Sequence, residues 1–262
     1  MATSFISIGI IDLASGLAVM LGANVGTTLI VQLLSFNLAV VPSVLILIGF
    51  VVFRRGDGNT RVEESGRIVI GLGLMLLALR MLVHVTTPVE NSPLVGTIMR
   101  SLAGQPLVAT AIAAGFTWAC HSSVAVMLFI ASLAASGAIA PTPALALVLG
   151  ANLGGTLPAY FESGSATARR LPLGNLLIRA TGCLATAPLL PFAARLLFAI
   201  EPEPARIVVN FHTLFNVLLA IVFLPSVHRL AKVLSDCSHP LRSRPILASR
   251  SIWTRPRWKR QA

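Results

Sequence analysis

Two nearly identical polar segments interrupt a chain that is otherwise strongly apolar. Residues 21–29 read LGANVGTTL and residues 149–157 read LGANLGGTL, so seven of nine positions are identical at an offset of 128 residues. Exposed N–H groups at a helix start suit an anion, whereas carbonyl and hydroxyl oxygens suit a hard cation such as sodium. The side chains that could take part in such an ion site are Asn24, Thr27 and Thr28 in the first copy and Asn152 and Thr156 in the second.

A second polar segment, TWACHSSVAV (117–126), also lies in apolar surroundings. Polar groups at membrane depth need partners and are candidates for function, which singles out His121, Ser122 and Ser123. A Cys120–His121 nucleophile pair is disfavoured because adjacent residues on one helix do not face each other, so we expect no enzyme. A helix–helix hydrogen bond from the serines stays open as the structural alternative.

The composition indicates which kind of fold must position these residues. The 262-residue chain is 55% hydrophobic and 11% charged, whereas soluble domains carry about 25% charged residues. Its long apolar runs match the roughly 20 residues that cross a bilayer as a helix. We therefore predict an all-α polytopic membrane protein. The three cysteines show no ligand spacing, so neither a disulfide framework nor a metal site or cofactor is expected.

Charged and turn-rich breaks divide the chain into predicted apolar segments. The first is expected to be broken near Asp12–Ser15 and again at Gly22–Gly26, and Pro188 and Pro191 are expected to kink the sixth. The predicted segments are 3–34, 36–53, 67–86, 105–135, 143–161, 172–198 and 207–228.

Loop charge predicts the orientation of these segments. Arginine-rich loops at 54–67 and 162–170 belong inside with the basic C-terminus, and the acidic loop at 201–206 belongs outside. From the outer loop at 87–104 the chain must reach the inner loop at 162 by an odd number of crossings, yet two apolar stretches lie between. One of them therefore dips in and returns, or the 105–135 stretch is itself a hairpin.

The same topology makes the two copies of the motif point in opposite directions. Small residues alone favour tight helix packing as the role of a single copy, but an opposed duplicate favours an ion site. Inverted-topology repeats with re-entrant or broken helices that meet at the midplane are the architecture of many secondary transporters. The predicted domains are a first repeat at 1–103, a second repeat at 104–232 and a basic cytoplasmic tail at 233–262.

The net charge of +11 is concentrated toward the C-terminus, since nine of the 20 Lys and Arg residues follow Val227 and seven of these lie in that tail. Trp253 and Trp258 interleaved with arginines could suggest nucleic-acid contact. On a membrane protein, contact with anionic headgroups is the favoured interpretation, and no nucleic acid is expected. We predict a multi-pass protein of the cell (inner) membrane with a cytoplasmic C-terminus; a homo-oligomer is left open.

The order T-x-x-C-H-S-S-V, an apolar segment and then L-G-A-N-L-G-G-T resembles the sodium/phosphate cotransporter family, the NaPi-II-type carriers and their bacterial relatives. The later segment NFHTLFNVLLAIVFLP (210–225) resembles the same family, and the resemblance covers about residues 1–230. It implies sodium-coupled transport of inorganic phosphate by alternating access. It also implies that phosphate and sodium contact Ser122, Ser123, Asn152 and Thr156 in the second repeat, with Asn24, Thr27 and Thr28 lining the site from the first.

The chain departs from the family pattern at several positions. Cys120 and His121 stand where the family's hairpin motif has Gln and its first Ser; a protonated His121 could pair with an anion and make transport pH-dependent. The first hairpin motif would fall before Met1, for which a mis-assigned start or a truncation is the favoured explanation. A degenerate relative, or a second chain that supplies the missing half, is the alternative explanation. The alternative is a non-transporting membrane protein that acts as an interaction or regulatory subunit. Arg179 is open to two interpretations, attraction of an anion or snorkelling to the interface. His212 and Asn216 lie one turn apart on a predicted helix, and we expect a mutual or an interhelical hydrogen bond from them.

Overall fold

The computed structural model describes residues 11–36, 40–56, 59–90, 92–102 and 104–237. These residues form α-helices joined by turns and two short 3₁₀ segments, and no strand occurs among them. The all-α prediction is therefore confirmed. The helices are α1 Leu13–Ser35, α2 Val41–Arg55, α3 Thr60–Glu90, α4 Pro93–Leu102, α5 Pro106–Cys120, α6 Ser123–Ala135, α7 Pro141–Gly154, α8 Leu157–Phe161, α9 Ala166–Thr186, α10 Leu190–Ile200, α11 Pro204–Phe223 and α12 Val227–Cys237.

Four helical stretches in the described part of the chain are long and apolar enough to cross a bilayer. They are Leu13–Ser35, Pro141–Phe161, Thr167–Ile200 and Pro204–Asp236. The third contains the 3₁₀ segment Ala187–Leu189, which separates α9 from α10 at the predicted proline kink. The predicted boundary at residue 232 lies inside α12, and the tail beyond residue 237 lies outside the described residues.

The 105–135 stretch consists of two helices, as the hairpin alternative predicts. Its helices α5 and α6 contain 15 and 13 residues, so they are about 22 and 20 Å long and shorter than a bilayer core of about 30 Å. They meet at His121, which has a left-handed backbone with φ of 54°. Ser122 then begins α6, and its Oγ accepts a hydrogen bond from the Ala125 N–H at 3.2 Å.

The predicted break at Gly22–Gly26 is wrong, because α1 runs without interruption from Leu13 to Ser35. Glycine is tolerated inside a helix at a cost of about 1 kcal/mol, and no charge or proline lies near this pair. The helix does begin in the region of the other predicted break. Asp12 caps it by accepting from the Ser15 N–H at 3.1 Å, and hydrogen bonds from Ser15 hold the pKa of Asp12 below its usual value.

The second copy of the motif is interrupted, in contrast to the first. Helix α7 ends at Gly154, and α8 begins at Leu157. Gly155 and Thr156 form the turn between them, with the Thr156 N–H donating to the Leu153 carbonyl at 3.1 Å. The two copies therefore have different backbones despite their nearly identical sequences.

Glycine packing differs between the copies in the same way. The backbone of α5 lies directly against α7 at Gly150 and Gly154, where an added Cβ would collide with the carbonyl oxygens of Thr110 and Ala114. The equivalent Gly22 and Gly26 have nothing within 4 Å of an added Cβ among the described residues. The tight-packing role of the glycines thus holds for the second copy.

Two helices connect the copies to each other. Helix α9 packs against both α1 and α7, which carry the first and second copies. Helix α11 packs against α1, α6 and α7. The polar side chains of α9 and α11 are consequently the ones that the fold brings to the repeated motif.

Candidate functional site

Asn152 is the centre of a buried polar cluster. Its side chain on α7 is fully buried, and its Oδ1 accepts a hydrogen bond from Asn216 Nδ2 at 2.8 Å. Its Nδ2 donates to the Val148 carbonyl at 2.9 Å and lies 3.0 Å from His212 Nδ1. His212 and Asn216 are one turn apart on α11 and are themselves in contact, as the sequence predicts. We name Asn152, Arg179, His212 and Asn216 the polar cluster.

The hydrogen bonds define the protonation of His212. Its Nδ1 lies 3.0 Å from Asn152 Nδ2 and 3.3 Å from Asn216 Nδ2. Both amide nitrogens are donors, so Nδ1 must be the acceptor and the ring proton resides on Nε2. His212 is therefore neutral in this arrangement.

Arg179 supplies the formal charge of the cluster. Its side chain on α9 is 5% exposed, so it does not snorkel to a surface. Its Nη1 donates to the Asn152 backbone carbonyl and lies 3.4 Å from Asn152 Oδ1. Its Nε has no hydrogen-bond partner among the described residues. The sequence left Arg179 open between attraction of an anion and snorkelling to the interface, and its burial excludes snorkelling.

No carboxylate among the described residues is placed to neutralise Arg179. The acidic residues in the described part of the chain lie in loops, at helix termini or within the first or last two turns of a helix: Asp12, Glu63, Glu64, Glu90, Glu162, Glu201, Glu203 and Asp236. None of the ion pairs between described residues includes Arg179. The Asn152 carbonyl, in the last turn of α7, stabilises the guanidinium in part, because a helix C-terminus carries partial negative charge.

The first copy of the motif reaches the same face of α9. Asn24 Nδ2 donates to Asn175 Oδ1 at 3.0 Å, and Asn175 precedes Arg179 by one helical turn. One face of α9 therefore contacts Asn24 of the first copy and Asn152 of the second. A further link, from Gln32 Nε2 to Asn210 Oδ1 at 2.8 Å, joins α1 to α11.

The hairpin turn meets the end of the second copy. A Cβ added to Gly155 would lie 3.2 Å from the Ser123 Cβ and 3.5 Å from its Oγ. Ser123 is half-buried, and its hydroxyl has no hydrogen bond to any described residue. The N-terminus of α6 and the C-terminal end of α7 thus face each other, which offers amide donors, carbonyls and a free hydroxyl in one place.

The threonine hydroxyls of both copies are bonded within their own helices. Thr27, Thr28 and Thr156 each donate at 2.7 Å to a carbonyl three residues earlier. Thr28 and Thr156 are buried. Their oxygen lone pairs stay available to accept or to coordinate a cation, but their protons are already used.

His121 lies at the surface of the described structure. Its Nε2 is 3.4 Å from Glu162 Oε1, and both side chains are more than half exposed. Its nearest charged group is thus a carboxylate, which a protonated imidazole would pair with before an anion. The predicted role of His121 toward an anion stays a prediction.

Sequence reasoning missed Asn175 and gave Arg179 no assigned role. Their spacing of four residues in an apolar segment was the available signal, since it places both on one helix face. Their partners come from α1 and α7, which are distant in sequence, so composition and periodicity could not identify the contacts.

The chain matches the family model described as Na+/Pi-cotransporter over residues 1–84 and 92–220. It is 37% identical over 249 residues to a protein of Escherichia coli (strain K12) named "Putative inorganic phosphate export protein YjbB", with 94% of this chain and 45% of that protein covered. A Salmonella typhimurium protein of the same name is 35% identical over the same shares. The "Uncharacterized protein YqeW" of Bacillus subtilis (strain 168) is 26% identical, with 84% of this chain and 72% of that protein covered.

The chain thus spans about half the length of the first of these relatives. No solved structure shows a significant match to the chain.

Proposed function

We propose, from the premise that this chain belongs to the Na+/Pi-cotransporter family, that it moves inorganic phosphate across a membrane. The anion would bind between the two copies of the repeated motif. The observation that carries this proposal is the face of α9, where Asn175 contacts the first copy and Arg179 the second. A carrier that works by alternating access needs such a contact between its repeats, because movement of one repeat against the other must change the geometry of the site.

Sodium is the proposed coupling ion. Sodium prefers oxygen ligands, and the turn between α7 and α8 brings Ser123 against Gly155, close in sequence to Asn152 and Thr156. The Ser123 hydroxyl has no partner among the described residues and can turn its oxygen toward an ion. Ser122 lies beside it, and its Oγ is partly engaged by the Ala125 N–H.

The direction of transport follows from the gradients in this scheme. A site that opens alternately to each side has no built-in direction, so the combined sodium and phosphate gradients decide the net flow. Relatives are named for phosphate export. Inward sodium would drive phosphate uptake by the same cycle that, run in reverse, exports it.

A second candidate function is a membrane subunit that does not transport alone. The observation that favours it is the difference between the copies, since α1 is unbroken and Gly22 and Gly26 face open space among the described residues. Such a subunit would bind neither phosphate nor sodium by itself. The two candidates therefore differ in a direct measurement.

The test is uptake of radiolabelled phosphate into proteoliposomes that contain the purified chain. We expect uptake driven by an inward sodium gradient and little uptake when potassium replaces sodium. Asn152→Ala is expected to reduce it at least tenfold, whereas Thr181→Ala, a change at an exposed threonine of α9, is the matched control. Uptake no faster than in empty liposomes would support the non-transporting subunit instead.

A further inference from the structure

Two buried polar atoms of the polar cluster lack partners, and they are of opposite kinds. Arg179 Nε is a donor and Asn216 Oδ1 an acceptor, and neither has a hydrogen bond among the described residues. Buried polar groups are nearly always paired, and an orphan of each kind within one cluster indicates a group that bonds both. We infer that these two atoms form a subsite for a protonated oxyanion, one that accepts from Arg179 and donates to Asn216. The inference deepens the proposed function and rests on it.

The two residues converge on a single atom. Asn152 Oδ1 lies 2.8 Å from Asn216 Nδ2 and 3.4 Å from Arg179 Nη1. Both side chains therefore approach from different helices, α11 and α9, toward the same point on α7. The proposed anion would lie beside this point, bonded to the Nε of Arg179 and the Oδ1 of Asn216.

The net charge of the polar cluster determines whether its ligand is an anion or a cation. The cluster contains one guanidinium, a neutral imidazole and two amides, and no carboxylate lies in the interior of the helices that form it. A buried charge is stable only when it is paired and hydrogen-bonded. The bound partner is consequently an anion, and the planar fork of arginine suits oxygen pairs of oxyanions.

The orphan carbonyl determines which oxyanion fits. Phosphate keeps at least one O–H group near neutral pH, and that group can donate to Asn216 Oδ1. Sulfate is fully deprotonated there, so its oxygens would face the carbonyl oxygen with no proton between them. A site that leaves a polar group unpaired with the wrong ligand discriminates strongly against it. Phosphate and its analogue arsenate should bind, and sulfate should not.

Both atoms are enclosed in the described conformation, so the ligand enters only when the cluster opens to one side of the membrane. In an alternating-access cycle, such an enclosed arrangement would correspond to the closed state. Ligand would be bound in that state with its charge shielded by α7, α9 and α11.

Ligand-induced thermal stabilisation of the purified full chain in detergent tests the subsite. We expect phosphate and arsenate to raise the unfolding temperature of the wild type and equimolar sulfate to leave it unchanged. Arg179→Gln should weaken phosphate binding by 100-fold or more. Arg179→Lys keeps the positive charge but loses the planar set of guanidinium donors, and it should weaken phosphate binding by about tenfold. Arg195→Gln, at an exposed arginine of the next helix, should bind as the wild type does.

Asn216→Ala probes the acceptor. It should bring the affinities for phosphate and sulfate within about tenfold of each other. Asn210→Ala, which changes a partly buried amide elsewhere on α11, should keep the discrimination between phosphate and sulfate. Equal binding of sulfate and phosphate by the wild type, or undiminished phosphate binding by Arg179→Gln, would overturn the inference. Rescue of Arg179→Gly by added guanidinium ion would separate a ligand role from a folding role.

The outcomes also separate this inference from the proposed function. Phosphate binding that requires Arg179, without transport in proteoliposomes, would refute the transporter and leave the subsite standing. Transport by the wild type, with an unchanged KM for phosphate in Arg179→Gln, would support the transporter and refute the subsite. Neither binding nor transport would refute both.

Discussion

Asn175 and Arg179 lie one turn apart on α9, and each contacts a different copy of the repeated motif, Asn24 in the first and Asn152 in the second. The two copies are 128 residues apart in sequence, and no direct hydrogen bond joins their asparagines among the described residues. Helix α9 thus couples the copies. A movement of α1 relative to α7 must act on these two side chains.

Asn175→Leu is expected to remove the hydrogen bond that joins α9 to Asn24 in the first copy of the motif. Interhelical hydrogen bonds in membrane proteins average about 0.6 kcal/mol, so the loss of one should lower the free energy of unfolding only slightly. Phosphate transport should fall at least tenfold, because the site loses its contact with α1. Thermal unfolding and proteoliposome uptake measured on the same preparation check both parts, with Thr181→Ala as the control. A proportionate loss of stability and transport would point to a purely structural role.

The two glycine pairs should respond differently to a large side chain. Gly150→Leu would drive side-chain atoms into the backbone of α5, so we expect a loss of folded protein or a fall of several degrees in unfolding temperature. Gly22→Leu meets open space among the described residues and should be tolerated in the same assay. Equal sensitivity of both positions would show that the face of α1 at Gly22 is covered.

Ser123→Ala is expected to weaken the binding of sodium rather than the binding of phosphate. It removes a hydroxyl oxygen that no described residue uses, and the sodium concentration for half-maximal uptake should rise about tenfold, equivalent to about 1.4 kcal/mol. Ser226→Ala removes a hydroxyl that is bonded within its own segment and should change nothing. Sodium titrations of phosphate uptake distinguish the two. An unchanged sodium requirement in Ser123→Ala would place the ion elsewhere.

The sequence was sufficient to predict local features of the fold. The proline pair near residue 188 predicted the separation of α9 and α10. The spacing of His212 and Asn216 predicted their contact. Each of these follows from residues close together in the chain, where helical geometry and backbone preferences decide the result.

Features that depend on distant residues could not be predicted in this way. The two copies share glycines at the same positions, yet only Gly150 and Gly154 have α5 beside them, and only α7 ends there. The burial of Arg179 likewise depends on α7 and α11, which close around it from other parts of the chain. Nearly identical sequence therefore gave different local structure, because the neighbouring helices differ.

The central claim is that the two copies and the face of α9 together bind phosphate and carry it across the membrane. Sodium-driven uptake of radiolabelled phosphate by proteoliposomes containing the wild type, Asn24→Leu or Asn152→Ala tests it most directly. We predict uptake by the wild type and at least a tenfold loss in each variant, with folded yield retained. Wild-type uptake that survives in Asn24→Leu while Asn152→Ala abolishes it would contradict a site shared between the copies.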